Sequence, residues 1–185
     1  MGEYGGIQCQ TPDLRAATLY AALTDADRLE NQAAATRVLA ASDWAEHLTT
    51  GPRPRGRDRD WMTRYAASEV AAALSCSARI AQNYIGIGTA LRYRLPLVRA
   101  AFQAGDIDYR RVEAIWRATT NTPQNLLTAI EPQIVSAART LPPGKLGTEI
   151  ERLIITTDPA FAAARRRCHH SERHVNRHGF SAAPV

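Results

Sequence analysis

Three polar side chains near the middle of the chain have the types and spacing that could contact nucleic acid. Residues 69–84 read EVAAALSCSARIAQNY, and the second half of this stretch carries Arg79, Gln82 and Asn83. Arginine and glutamine side chains can read base edges or bind phosphates when the second helix of a helix-turn-helix presents them to a groove. The spacing predicts that these three residues face the solvent, with DNA as the partner.

The helix-turn-helix interpretation depends on the residues that would shape the corner. Ala71 is small where two helices cross, Ser75 stands at the turn position usually held by glycine, and the Ser77 hydroxyl can cap the second helix. Ala81 and Tyr84 would form the buried side of that helix. The same pattern also fits an ordinary corner between two helices, so both interpretations stay open here.

A second basic feature lies just before this stretch, in residues 49–60, TTGPRPRGRDRD. Two prolines and two glycines prevent a helix from continuing, and nothing in the segment is apolar enough to bury. The segment is predicted to be an exposed basic linker. Its arginines would add salt-dependent affinity for a polyanion without sequence specificity, and they are Arg53, Arg55, Arg57 and Arg59.

No arrangement of residues points to catalysis or to a bound cofactor. His170, His174 and His178 recur every four residues, but Gly179 and the surrounding breakers disfavour the helix that would align them. The sequence contains no GxSxG, P-loop, HExxH or complete dinucleotide-binding glycine motif. We therefore predict that the chain is not an enzyme and that it binds no metal or cofactor.

The composition is that of a soluble globular protein of one or two domains. Of the 185 residues, 45% are hydrophobic and 22% charged, and the mean hydropathy is -0.31. No apolar run is long enough to cross a bilayer, and the N-terminus lacks the features of a signal peptide. Three widely spaced cysteines suggest no disulfide framework. A cytoplasmic location is predicted, and the net charge of +5 fits either a polyanionic partner or a basic surface.

The elements that must position these residues are helices. Thr11-Pro12 is a helix start, and a second start at Thr24 predicts an N-terminal helical hairpin over residues 11–48. A helical core over residues 61–168 follows the linker, flanked by a disordered N-terminus (1–10) and an irregular tail (169–185). The fold class is predicted to be all-α, because β-branched residues cluster only at 154–157.

The sequence predicts one tight corner inside the helical core. Gly105 and Asp106 break the helical pattern, and Asp108 can begin the next helix. Trp116 then falls in register with the apolar positions of that helix. It is expected to be at least half buried.

The segment around this corner resembles the N-terminal domain of the actinobacterial 13E12 repeat family. The resemblance is carried by the turn residues of the helix-turn-helix-like stretch and by RLP at 94–96 and FQAGDIDYR at 102–110. It extends more weakly from about residue 14 to residue 159. In that family the domain has unknown function and precedes an HNH endonuclease domain.

The resemblance implies a non-catalytic helical domain that binds nucleic acid or positions a nuclease module. Because the chain stops at Val185, it is expected to be a truncated member without the catalytic part. The alternative is a protein-interaction domain or a structural remnant of a mobile element, with no affinity for DNA. The sequence does not indicate the oligomeric state.

Overall fold

A computed structural model describes the backbone of residues 14–50 and 59–165, and the side chains of 14–50 and 63–165. This part of the chain is helical and contains no strand, which confirms the all-α prediction. Seven helices have defined bounds here, and residues 159–165 add a further helical segment. The helices are α1 (Leu14–Thr50), α2 (Arg59–Ala73), α3 (Ala78–Tyr93), α4 (Pro96–Ala104), α5 (Tyr109–Thr119), α6 (Gln124–Thr140) and α7 (Pro143–Thr157).

The predicted N-terminal hairpin is wrong, because residues 14–50 form one continuous helix of 37 residues. Thr24 does not cap a second helix; its hydroxyl donates to the carbonyl of Ala21 at 2.8 Å, inside the helix. The segment is rich in alanine and contains neither glycine nor proline, so nothing in it stops the helix.

The predicted boundaries around the linker also change. The first helix continues to Thr50, and α2 begins at Arg59, so both ends of the 49–60 segment are helical. The predicted disordered N-terminus (1–10), the middle of the linker and the tail (169–185) lie outside the described residues. The N-terminal segment is not a separate unit, since Ala35 and Val38 of α1 belong to the same core cluster as Ile87 of α3.

The core is formed by aliphatic side chains from α1 and α3–α7, together with Phe102. One buried acid lies within it: Glu131 of α6 is 2% exposed. Its carboxylate accepts hydrogen bonds from the backbone amides of Leu97 and Val98 at 2.7 and 3.0 Å. It therefore caps α4, whose own N-cap residue Leu95 provides no side-chain bond.

The corner between α4 and α5 has the predicted geometry. Gly105 has a left-handed φ of 82°, and Asp108 is the N-cap of α5, with its carboxylate accepting from Arg111 N at 2.8 Å. Helix α1 holds this corner: Asn31 donates to the Gly105 carbonyl at 3.2 Å, and Arg28 to the Ala104 carbonyl at 2.8 Å. Residues 104–108 of the FQAGDIDYR segment therefore have a structural role at this corner.

Close packing between helices depends on two glycines of α3. A Cβ at Gly88 would lie 2.5 Å from Ser42 Cβ, so α1 and α3 touch there. A Cβ at Gly86 would lie 3.0 Å from the ring of Trp116. Trp116 is more than half buried in the core, as predicted.

Candidate nucleic-acid interface

The turn between α2 and α3 is closed by backbone hydrogen bonds around Ser75. The amide of Cys76 donates to the Ala71 carbonyl at 3.0 Å, and the amide of Ser75 to the Ala72 carbonyl at 3.3 Å. This pair of bonds is the Schellman motif, whose central residue must be left-handed. Ser75 has a φ of 49°, so a serine takes the conformation that glycine usually takes at this turn.

The start of α3 has the predicted cap and the predicted buried residue. The Ser77 hydroxyl accepts from the amide of Ile80 at 3.3 Å. Ala81 is fully buried and packs with Val70 of α2 and Ala41 of α1 in a small apolar cluster. Because α1 supports both helices of the corner, their relative orientation is fixed by packing.

The other end of α3 is held to α1 by polar contacts. Arg92 forms ion pairs with Asp43 and with Glu46, the latter at 2.6 Å. The Tyr93 hydroxyl donates to Glu46 at 2.8 Å, and the Ser42 and Thr89 hydroxyls lie 3.2 Å apart. These bonds prevent α3 from sliding along α1, so its first turns are presented in one position.

Two of the three predicted contact residues are exposed. Arg79 and Gln82 lie on the solvent side of α3, whereas Asn83 is only partly exposed. Tyr84, predicted to be covered, is partly buried. Arg79 makes no hydrogen bond or ion pair with another described residue, so its charge is not neutralised within this part of the chain.

The four linker arginines lie outside the side chains that the structure describes. Arg53, Arg55 and Arg57 lie outside the described residues. Arg59 is the first residue of α2, and its side chain is not described. Their role in binding stays a prediction.

Two other arginines, Arg99 and Arg139, lie on α4 and α6, away from the corner. Arg139 is exposed and donates to Asp106 at 2.8 Å, whereas Arg99 is only partly exposed. Several other arginines are likewise paired with acids of the same chain, including Arg111, Arg117 and Arg152. Arg79 differs from these in having no acidic partner among the described residues.

Sequence reasoning missed a polar cavity of about 360 Å³ between α1, α3 and α5. The rings of Tyr84 and Tyr109 meet edge to face there, with their centres 5.3 Å apart. Burial, and then the negative charge of Glu113, raises the pKa of Tyr109 to about 12. Only knowledge of how α1 crosses α5 could have revealed this cavity. Charged side chains complete its lining, namely Asp27, Glu30, Arg37, Asp108 and Arg110.

An apolar groove of about 330 Å³ between α1 and α2 was also missed. Trp44 and Leu74 line it and remain 46% and 37% exposed. Arg37 and Glu69 provide its charged edges. The groove lies beside the corner because Leu74 is part of the α2–α3 turn.

The described residues contain no group of three histidine, cysteine or acidic side chains placed to hold a metal ion. The histidines of the tail lie outside them. No helix in the described part is long and apolar enough to cross a membrane.

Comparison with known proteins gives a match to a protein family. No curated protein and no solved structure matches the chain. A family model described as a domain of unknown function, DUF222, matches residues 22–182. That range includes the whole α2–α3 corner, the α4–α5 corner and the part of α1 that supports them. The chain therefore belongs to the DUF222 family of domains of unknown function.

Proposed function

We propose that this domain is a non-catalytic module that binds DNA; the resemblance to the 13E12 repeat family implies that it binds nucleic acid or positions a nuclease module. The observation that carries the proposal is the corner at Ser75, with Arg79 and Gln82 exposed on the first two turns of α3. In helix-turn-helix proteins the N-terminal residues of the second helix contact base edges in the major groove.

Charge and rigidity both support this role. The guanidinium of Arg79 has no acidic partner among the described residues, so DNA phosphates or guanine would not have to displace one. The contacts of α3 with α1 keep the corner rigid, so little conformational entropy is lost on binding. Glu69 of α2 is exposed. Because its carboxylate and the DNA phosphates are both negative, the side chain would have to point away from the phosphates in the complex.

The test is fluorescence anisotropy of a labelled DNA duplex titrated with the full chain at low salt. Arg79→Ala should weaken binding by about 1 to 3 kcal/mol if the contact is to a base edge, which is roughly 5- to 150-fold. Arg139→Ala is the control, because it removes an arginine from an exposed site on α6 whose charge is already paired with Asp106. Its affinity should stay within about twofold of the unaltered chain.

Two results would contradict the proposal. One is no binding to duplex DNA at micromolar protein and low salt. The other is an equal loss of affinity in Arg79→Ala and Arg139→Ala, which would point to general charge attraction rather than to the corner. In either case the α2–α3 corner would be an ordinary packing feature of a helical domain.

A further inference from the structure

The polar cavity between α1, α3 and α5 has unlike charges in a fixed order along its α1 wall. Glu30, Ala34 and Arg37 line the cavity, and their spacing of four and then three residues places them on one face of the helix. Glu30 and Arg37 are separated by two turns, or about 10 Å along the helix axis. Neither side chain forms an ion pair or a hydrogen bond with another described residue. This wall therefore presents a carboxylate and a guanidinium, with a small apolar residue between them.

Each of these two charges has a second charge of the same sign in the cavity lining. Asp27 precedes Glu30 by three residues, on the same face of α1. Arg110 lies in the first turn of α5, is exposed and has no acidic partner among the described residues. The remaining acid, Asp108, is already bound by Arg111. Two carboxylates and two guanidiniums are thus available to a ligand, and this balance favours a ligand that carries one charge of each sign.

The same cavity has an apolar surface formed by two aromatic rings. Tyr84 and Tyr109 line the cavity, with their rings edge to face. Both residues are partly buried, and neither hydroxyl is hydrogen-bonded to another described residue. Val38 adds an aliphatic side chain from α1. A short methylene chain can pack against this surface, and an ammonium group is attracted to the face of an aromatic ring.

We propose that this cavity binds a small ω-amino acid, a molecule with an ammonium group and a carboxylate at opposite ends of a short methylene chain. The ammonium group would lie at Asp27 and Glu30. The carboxylate would lie at Arg37, whose guanidinium can hold it through two parallel hydrogen bonds. The methylene chain would pack against the rings of Tyr84 and Tyr109.

The spacing of the charges on α1 sets the length of the ligand. The side chains of Glu30 and Arg37 both lean towards the N-terminus of the helix, so their charged ends are offset by about the same 10 Å. A hydrogen bond of about 2.8 Å at each end leaves about 5 Å between the ammonium group and the carboxylate of the ligand. Three methylene groups span this distance, as in 4-aminobutanoate, whereas glycine is too short.

The test is an NMR titration of the ¹⁵N-labelled full chain with 4-aminobutanoate, without DNA and at constant ionic strength. The amide shifts should saturate, with a dissociation constant on the order of 1 mM for so small a ligand. The largest shifts should fall between Glu30 and Arg37 and around Tyr109. Butanoate and butylamine each lack one of the two charges, and each should bind at least about tenfold more weakly.

Two variants test the two ends of the site separately. Glu30→Gln and Arg37→Gln should each weaken binding of 4-aminobutanoate at least about fivefold, because each removes one charge and keeps a polar side chain. Both positions are exposed, and the spectrum of each variant establishes that it is folded. Arg152→Gln is the matched control, because it makes the same change at an exposed position of α7, and none of the described residues of α7 lines the cavity.

Three results would overturn the proposal. One is the absence of saturable shifts up to about 50 mM 4-aminobutanoate, well above the expected dissociation constant. Another is equal binding of butanoate or butylamine, which would show that only one charge is recognised. The third is binding that neither Glu30→Gln nor Arg37→Gln weakens more than Arg152→Gln does. Because no DNA is present, none of these results bears on the proposed function.

Discussion

Ser75 holds the helix-turn-helix-like corner in a conformation that disfavours an L-amino acid. Its left-handed φ of 49° closes the same pair of backbone bonds that Gly105, with a φ of 82°, closes after α4. A side chain in this region costs about 1 to 2 kcal/mol relative to ordinary backbone, a cost that glycine avoids. The two turns therefore have the same hydrogen-bonding pattern, with a serine at the left-handed position in one and a glycine in the other.

Replacing Ser75 by glycine should stabilise the protein. We expect Ser75→Gly to raise the free energy of unfolding by about 0.5 to 1 kcal/mol, because the gain in the turn exceeds the added entropy of the unfolded chain. Urea denaturation measures the change. Gly105→Ala is the comparison: its Cβ would lie 2.6 Å from the Arg28 carbonyl oxygen at a φ of 82°, so stability should fall. A loss of stability in Ser75→Gly would show that the serine side chain matters more than its backbone.

Glu131 should make stability depend on pH. Burial raises the pKa of this carboxyl above its ordinary value of 4.5, and the hydrogen bonds from Val98 and Leu97 only partly offset that effect. The folded state therefore binds the proton more tightly than the unfolded state does. The contribution of Glu131 to stability is complete below the ordinary pKa and is lost as pH rises through the folded-state pKa.

Glu131→Gln tests this sign. The glutamine carbonyl can still accept from the α4 amides but does not ionise. The difference in free energy of unfolding, unaltered chain minus variant, should decrease as pH rises from about 4.5. Denaturation of both proteins at several pH values gives that difference. The pH dependence that comes from the other carboxylates is the same in both proteins, so it cancels in the subtraction. A difference that is constant or increases with pH would contradict the assignment.

At the scale of elements, the sequence predicts a helix end correctly where a residue is forced into one conformation. Gly105, Asp108 and Ser77 mark helix ends, and each is a cap in the structure. Thr24 is a residue whose role the sequence does not decide. A threonine hydroxyl can cap the start of a helix or donate to a carbonyl inside a helix, and the two roles differ only in whether the helix continues through the residue. The exposure of residues 14–30 and the cavity at Tyr109 depend on where helices cross, which a single sequence does not encode locally.

Gly88 lies where α3 crosses α1. Gly88→Ala should destabilise the protein by more than about 2 kcal/mol, because its Cβ would lie 2.5 Å from Ser42 Cβ and 2.6 Å from the Val38 carbonyl oxygen, both on α1. Gly147→Ala is the matched control. It lies inside α7 with nothing within 4 Å of the added Cβ, and should gain about 0.5 to 1 kcal/mol from helix propensity. Equal effects in thermal or urea melts would contradict the close contact between α1 and α3.

At the scale of the whole molecule, the charge pattern divides the arginines into two groups. Many on the described surface are paired with acids of the chain, as Arg92, Arg139 and Arg152 are. The net charge is +5. Among the described residues, Arg79 belongs to the second group, together with Arg37 and Arg110, which are also exposed and have no acidic partner. The arginines of the 49–60 segment are predicted to add to the charge available to a polyanion.

The salt dependence of DNA binding separates these two contributions. Each phosphate neutralised adds about 0.9 to the slope of log K against log salt concentration. Removing Arg53, Arg55 and Arg57 together should lower that slope by up to about 3 and weaken all duplexes alike. Arg79→Ala should lower it by no more than about 1 and should weaken a preferred duplex more than an unrelated one. If the triple variant keeps the slope of the unaltered chain, the linker arginines make no phosphate contacts, and α3 and its supporting helices must supply the whole affinity.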